Sequence, residues 1–407
     1  MRRLVAACLV TLAIAGCGAV QTNNPAPIQV QRVSMSLTDS SSAFGIALLD
    51  RLLAEKDAGN VFISPLSATI ALSMAASAAD PGSRAAILKV LGIDSPNADE
   101  QARETIQRLA RSDANAQVEL AQAAWAQNGL DLNPAYVQRL HDYYQAQLSN
   151  LDFQSPAAPG VVNKWVESKT HGKITKLVDQ FDPATVGYLV NATYFHALWA
   201  TEFKPMSTPI QFHAFDDTTS APASMHRDDD VTGYNTEQYS AVLLPYKGGR
   251  FSAVLILPRQ SLSPAAFGGF LTASLWNETV SAFHAATGPT FTGKCKAAAN
   301  VTCDNTLQMP KFKLDYRKEL TAMLNAMGMP IPGAALPDFC GSCAISSVVQ
   351  ATRLEVDEHG TTAAAATGVA VETALRLPIT VDRPFGFAIV DNATDAPLFL
   401  GVIGNLP

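Results

Sequence analysis

Glu358-His359-Gly360-Thr361-Thr362-Ala363-Ala364-Ala365-Ala366-Thr367 is the stretch on which the reading of this chain turns. It starts where a predicted strand over residues 352–356 ends. Across residues 360–371 there is no proline and no charge, and nearly every side chain is small. Alanine is the best helix former, so composition alone reads as a helix or loop. Yet nothing in the run keeps its backbone from joining a sheet ladder, and Gly360 supplies a pivot. As a strand, its period of two would place Thr361, Ala363, Ala365, Thr367, Val369 and Val371 on one face, and none of these resists burial.

Outward from this run the chain alternates between apolar strands and helices. Downstream, residues 383–389 and 397–403 read as two terminal strands with a turn at residues 392–396. Upstream, residues 344–356 read as a strand, 320–327 as a helix stopped by Gly328, and 309–314 as one strand. Residues 243–246 and 252–258 form a hairpin around Lys247-Gly248-Gly249-Arg250. Leu189-Val190-Asn191-Ala192-Thr193-Tyr194-Phe195 belongs to a continuous apolar strand over residues 186–195, with Trp199 just beyond. Helical spacing marks residues 83–91, 98–110, 134–144 and 161–170, Pro134 standing in a first turn. Residues 68–79 carry no charge and are apolar all round, which predicts a buried helix whose serines must find partners inside the fold. Residues 43–54 form a first helix, with residues 39–42 available as caps.

These blocks resemble the serpin family. The hinge run 358–368 is similar to the start of the serpin reactive loop, Asn60-Val-Phe-Ile-Ser64-Pro65-Leu-Ser67 to a pattern ahead of a buried helix, and Leu189 to Phe195 with Trp199 to one of the family's most specific signatures. Gly172-Lys173-Ile174 and both terminal strands fit as well. The likeness runs from about Ser36 to Leu406 and departs at Asp80-Pro81, where the family usually has Gly-Ala. It implies an α+β fold with three β-sheets, about eight or nine helices and an exposed reactive-centre loop.

Residues 1–16 have the form of an export signal: Arg2 and Arg3, an apolar run over residues 4–14 too short to span a bilayer, then Ala15-Gly16-Cys17. Ile14-Ala15-Gly16-Cys17 resembles a bacterial lipobox, implying cleavage before Cys17 and lipidation of its sulfur. Residues 17–35 then form a lipid-anchored flexible leader and residues 36–407 a single serpin domain. The expected location is a bacterial outer envelope, periplasmic or at the cell surface. A net charge of −7 without a basic cluster argues against nucleic acid as a partner. The chain is expected to be a monomer, with no cofactor and no enzymatic activity.

Beyond the leader stand Cys295, Cys303, Cys340 and Cys343. Export permits disulfides. Sequence cannot choose the pairing, the close pairs Cys295 with Cys303 and Cys340 with Cys343 being preferred. The Cys340-x-x-Cys343 spacing also suits zinc, but the long Cys295–Cys303 interval fits it poorly, so no metal is expected. His226-Arg227-Asp228-Asp229-Asp230 is read as an exposed turn rather than a calcium loop.

The resemblance implies a one-use inhibitor of serine proteases. A target's serine attacks the loop and forms an acyl-enzyme, and the freed segment enters a sheet as a strand before water completes hydrolysis. Glu358, Gly360, Thr361, Ala363, Ala364, Ala365, Ala366 and Thr367 form the hinge of that movement. Ser64, Ser67, Asn191 and Gln350 match a buried polar shutter under the sheet, and Trp199 matches the breach where the loop enters. Gln350 stands where relatives often carry histidine; its amide can bridge the same groups but cannot titrate near neutrality. At the spacing the family keeps after Glu358, the cleaved bond falls at Ala374-Leu375, which suits elastase-like enzymes with a small primary pocket. Arg376, which would attract trypsin-like enzymes, and Thr373 are alternatives. Rival classes are a non-inhibitory serpin-fold binding protein, an inhibitor of trypsin-like or cysteine proteases, and a hydrolase using Ser64 or Ser67. The last is disfavoured because neither serine has a base nearby in sequence.

Overall fold

The computed structural model describes residues 36–56, 58–93, 97–111, 113–341, 343–361 and 378–407. The proposed signal, leader and Cys17 lie outside these residues. So do the hinge positions Ala363, Ala364, Ala365, Ala366 and Thr367 and the candidate cleavage positions Thr373, Ala374, Leu375 and Arg376.

Ten helices occur among the described residues, two of them short, where the resemblance implies eight or nine: α1 (Ser36–Leu53), α2 (Pro65–Ala76), α3 (Pro81–Leu91), α4 (Ala98–Leu109), α5 (Pro134–Tyr144), α6 (Ala158–Lys169), α7 (Pro264–Phe270), α8 (Ala273–Thr287), α9 (Thr321–Ala326) and α10 (Pro337–Cys340). The strands are β1 (Val61–Ile63), β2 (Ala116–Gln127), β3 (Gln147–Leu151), β4 (Gly187–Leu198), β5 (Lys204–Pro205), β6 (Phe212–His213), β7 (Thr219–Ser220), β8 (Ser224–Asn235), β9 (Tyr239–Pro245), β10 (Phe251–Pro258), β11 (Val301–Pro310), β12 (Phe312–Glu319), β13 (Val349–Val356), β14 (Gly360–Thr361), β15 (Ile379–Thr380), β16 (Phe385–Asp391) and β17 (Ala396–Ile403).

They form three sheets. One is six-stranded in the order β12-β13-β14-β4-β2-β3; one is nine-stranded in the order β1-β17-β16-β10-β9-β8-β11-β15 with β5 beside β8; the third is the pair β6-β7. The two large sheets face each other through rings such as Phe195 against Tyr246 and Phe251, at centroid distances of 5.2 and 5.4 Å. Buried α2 wedges between β4 and β17 on this inner side. The outer face of the six-stranded sheet carries α6, whose Val162 and Val166 share a second apolar cluster with Trp125, Tyr188 and Val190. This alternation along β4, odd residues inward and even residues toward α6, follows from the strand's period of two.

Several expectations need correcting. Residues 309–314 are not one strand: β11 ends at Pro310, the Lys311 amide donates to Ala223 O at 2.7 Å, and β12 begins in the other sheet. Residues 39–42 do not cap the first helix but lie inside it, with the Ser41 hydroxyl turned back on Thr38 O at 2.8 Å. Only residues 349–356 of the expected strand 344–356 are strand, because the earlier part doubles back in a bridge between Ala335 and Ala344. The departure at Asp80-Pro81 makes a good helix start: the Asp80 carboxylate accepts from the Gly82 and Ser83 amides, and the Ser83 side chain first, then these amides, hold its pKa below the usual carboxylate value.

Candidate functional site

The hinge enters the six-stranded sheet at one end. Thr361 pairs antiparallel with Val356 of β13 and with Ala197 of β4, and Gly360 pairs with Leu198. Among the described residues no ladder joins β13 to β4 directly, so the first hinge residues stand in the interval between two strands. The resemblance implies a loop exposed from the hinge onward. Gly360 and Thr361 are instead already seated, and their chemistry explains why. A Cβ added at Gly360 would stand 2.2 Å from the Ala197 carbonyl oxygen, so only glycine permits this approach. Thr361 is 2% exposed, and its hydroxyl lies 2.9 Å from that of Tyr246. Burial pushes the Tyr246 phenol well above its ordinary pKa, so it stays neutral and can serve as donor or acceptor. His196 Nδ1 lies 2.8 Å from the Thr361 carbonyl oxygen, and because a carbonyl only accepts, that nitrogen is the donor.

Trp199 stands where this entry is made. Its indole nitrogen donates to Asp357 O and its amide to His359 O, both at 2.9 Å, and its ring stacks on Tyr246 with centroids 4.4 Å apart. The Phe203 amide donates to Glu358 O at 2.8 Å, and Lys311 Nζ meets the Glu358 carboxylate at 3.0 Å. Tyr246, His196, Lys311 and Phe203 were not singled out from sequence. Tyr246 and Lys311 lie in segments read as strands and His196 one residue past the strand read over 186–195, and nothing local marks their reach toward residues so distant in the chain.

Farther along the same interval the four residues matched to a shutter form two hydrogen-bonded pairs. The Ser64 amide donates to Gln350 Oε1 at 3.1 Å and Gln350 Nε2 donates to Ser64 O at 2.9 Å. The Ser64 hydroxyl donates to Leu398 O at 2.6 Å, and that of Ser67 donates to Asn191 Oδ1. Gln350 thus ties β13 to the start of α2 through donor and acceptor at once, each bond contributing about 1 kcal/mol. Asn191 Nδ2 and both polar atoms of its ladder neighbour Gln122 are buried with no protein partner. Such atoms make this the least satisfied part of the sheet's inner face.

On the outer face the segment after α6 is strapped across β12 and β13. Arg353 donates to Lys173 O at 2.8 Å, Arg317 donates to Leu177 O at 2.6 Å, and Lys173 faces Glu355 at 3.6 Å. The sheet is therefore held from both sides along the interval that a further strand would have to widen.

The remaining candidates lie apart from this site. Cys295 is joined to Cys303, and Cys340 to Cys343. His226 to Asp230 is not a turn: the run lies within β8, His226 and Arg227 pairing with β11 and His226 also with β5, while the aspartates fall at an irregularity in the β8–β11 register. Among the described residues no cluster of three His, Cys, Asp or Glu side chains could hold a metal, and no helix is long and apolar enough to cross a membrane.

Comparison with known proteins bears on the whole chain. The family model described as "Serpin (serine protease inhibitor)" matches residues 39–406. Ipis-1 of Ixodes persulcatus is 31% identical over 366 residues, covering 86% of this chain and 93% of its own. Iripin-3 of Ixodes ricinus is 32% identical over 398 residues, covering 91% and 95%. Among solved structures, the thermophilic serpin Tengpin in its native state is similar at a TM-score of 0.77 with 27% identity, covering 94% of this chain and 97% of that one.

Proposed function

The chain belongs to the serpin family, and from that premise we propose that it inhibits serine proteases by a single-use mechanism of loop cleavage and strand insertion, with elastase-like enzymes as targets. The protease serine would attack the Ala374 carbonyl, the amine of Leu375 would leave, and Ala374 would remain as an ester on the enzyme. The freed segment would then extend β14 down the interval between β4 and β13. The protease, carried along, would lose the oxyanion-hole geometry that deacylation needs. The observation that carries this reading is the seated pair Gly360–Thr361, an inserted strand already begun and bordered on both sides by strands that do not pair with each other. The small, uncharged residues that follow offer nothing to stop its extension.

The test is incubation with a panel of elastase-like, trypsin-like and cysteine proteases. An adduct that survives denaturation is expected with the elastase-like enzymes, and mass spectrometry of the released peptide should place the cut at Ala374-Leu375. A cut after Arg376 or Thr373 would move the target class. Clipping without any adduct would make the chain a serpin-fold protein that does not inhibit.

We infer further, from residues 1–17 alone, that Cys17 carries a lipid that tethers the inhibitor to a membrane. Cys17→Ser should shift the protein from the membrane fraction to the soluble one; an unchanged distribution would remove the anchor from this account.

A further inference from the structure

Asn128 is the one asparagine in this sequence that is followed by glycine. It stands just past the end of β2, in a turn closed by the Leu130 amide donating to Gln127 O at 3.2 Å. Gly129 has φ 85 and Asn128 is not among the residues of positive φ, which is the type II form of such a turn. The residues around it are tied to the end of β3. The Asn128 amide donates to Leu151 O at 3.1 Å, the Phe153 amide donates to Gln127 Oε1 at 2.9 Å, and Gln127 Nε2 donates to Asp152 at 3.4 Å.

Inside this frame the peptide unit between Asn128 and Gly129 is unrestrained. Among the described residues neither the Asn128 carbonyl nor the Gly129 amide has a backbone partner, and the Asn128 side chain makes no hydrogen bond. Both residues are exposed, and a Cβ built on Gly129 would meet nothing within 4 Å. The unit can therefore turn over, as type II passes to type I, without losing a bond. That rotation swings the Gly129 nitrogen toward the Asn128 side chain. The two groups close a five-membered ring, a proximity that takes the place of a bimolecular encounter. Glycine leaves the attacking nitrogen unshielded by any Cβ, whereas Asn115-Ala116, Asn150-Leu151 and Asn300-Val301 each place a Cβ beside it.

We propose that Asn128 is a site of spontaneous modification, converted through a cyclic imide to aspartate and isoaspartate. The Gly129 nitrogen gives up its proton and bonds to Asn128 Cγ; the Cγ–Nδ2 bond breaks, and the side-chain nitrogen leaves as ammonia with that proton. Water then opens the ring. Cleavage between Cγ and the Gly129 nitrogen yields aspartate, and cleavage between the Asn128 backbone carbon and that nitrogen yields isoaspartate, whose main chain runs through Cβ and Cγ. Isoaspartate adds one carbon to a turn held at both ends, and either product adds a negative charge beside Gln127 and its partner Asp152. The joint between β2 and β3 loosens as the protein ages. None of this depends on whether the chain inhibits proteases.

The test is peptide mapping of the full-length folded protein during incubation in neutral and mildly alkaline buffer, with isoaspartate detected by enzymatic methylation. The peptide spanning residue 128 should gain the mass of NH exchanged for O at least about tenfold faster than any other asparagine-containing peptide. Its rate should rise with pH, because the attacking nitrogen must lose its proton. Asn128→Gln, which would need a six-membered ring, should abolish the fast site and leave the melting midpoint unchanged. The isoaspartyl form, separated by charge, should exchange the Leu130 amide hydrogen about fivefold faster than the unmodified form. Modification at Asn128 that is no faster than elsewhere, or that appears only in urea-unfolded protein, overturns the site. Unchanged exchange at Leu130 overturns the loosening of the β2–β3 joint.

Discussion

Thr361→Arg is expected to reduce the denaturation-resistant adduct to about one hundredth of the wild-type yield or less, while cleavage of the loop proceeds at an undiminished rate. The Thr361 side chain is 2% exposed and faces the hydroxyl of Tyr246, whose ring is packed by Trp199 and Phe195. A guanidinium in that seat would face a hydroxyl rather than a carboxylate, and burying an unpaired charge costs several kcal/mol. The hinge would leave its seat rather than accept that cost, and every later step of insertion would start from outside the sheet. Each 1.4 kcal/mol added to the barrier slows insertion about tenfold, whereas deacylation by the protease is unaffected, so the competition swings to hydrolysis. Thr361→Ser is the control, because it keeps the hydroxyl and should keep most of the adduct. An Arg variant that traps protease as well as the wild type would mean that the seat plays no part in insertion.

That seat shows where sequence reading succeeds and where it stops. The continuous apolar run from Leu189 to Phe195 is a local pattern, and the strand it predicts is β4; the uncharged run after Gly360 is equally local, but past Thr361 its face lies outside the described residues. Ser64, Ser67, Asn191 and Gln350 were matched one by one to the family's shutter, and the fold joins Ser64 to Gln350 and Ser67 to Asn191 by hydrogen bonds. Tyr246 escaped notice because its importance comes from a partner, Thr361, in a distant part of the chain, and Pro245-Tyr246 carries no signal of that pairing. The break at Lys311 was illegible for a related reason. The apolar pattern runs unbroken from Met309 to Leu314, and only the pairing partners show that it crosses from one sheet to another. Charge misled at His226 to Asp230, where three aspartates suggest a turn but the pairs on either side of them, with β11 and β5, carry the strand through.

The second large effect concerns the clipped molecule itself, whose melting midpoint is expected to lie on the order of 10–20 °C above that of the intact protein. Extending β14 from Thr362 toward Ala374 would give the new strand backbone partners on both sides, each bond contributing about 0.5–1.5 kcal/mol. Ordering that backbone costs about 1–2 kcal/mol per residue, so the ladder by itself gains little. The surplus comes from side chains and from the sheet already waiting. Val369 and Val371 gain about 1.5–3 kcal/mol each on burial, and β4 and β13, which lack a direct ladder among the described residues, acquire one in common. Opposing this is the loosening of Arg353 from Lys173 O and Arg317 from Leu177 O if the segment after α6 must yield, but those bonds lie near the surface and can form again once the strand has passed. The gain should therefore appear after any protease cuts near Ala374, whether or not it is trapped, and differential scanning calorimetry of intact and clipped protein measures it directly. A clipped form that melts no later than the intact one would leave the insertion mechanism without a driving force, and the seated Gly360–Thr361 pair would then be a fixed edge of the sheet rather than the start of a strand.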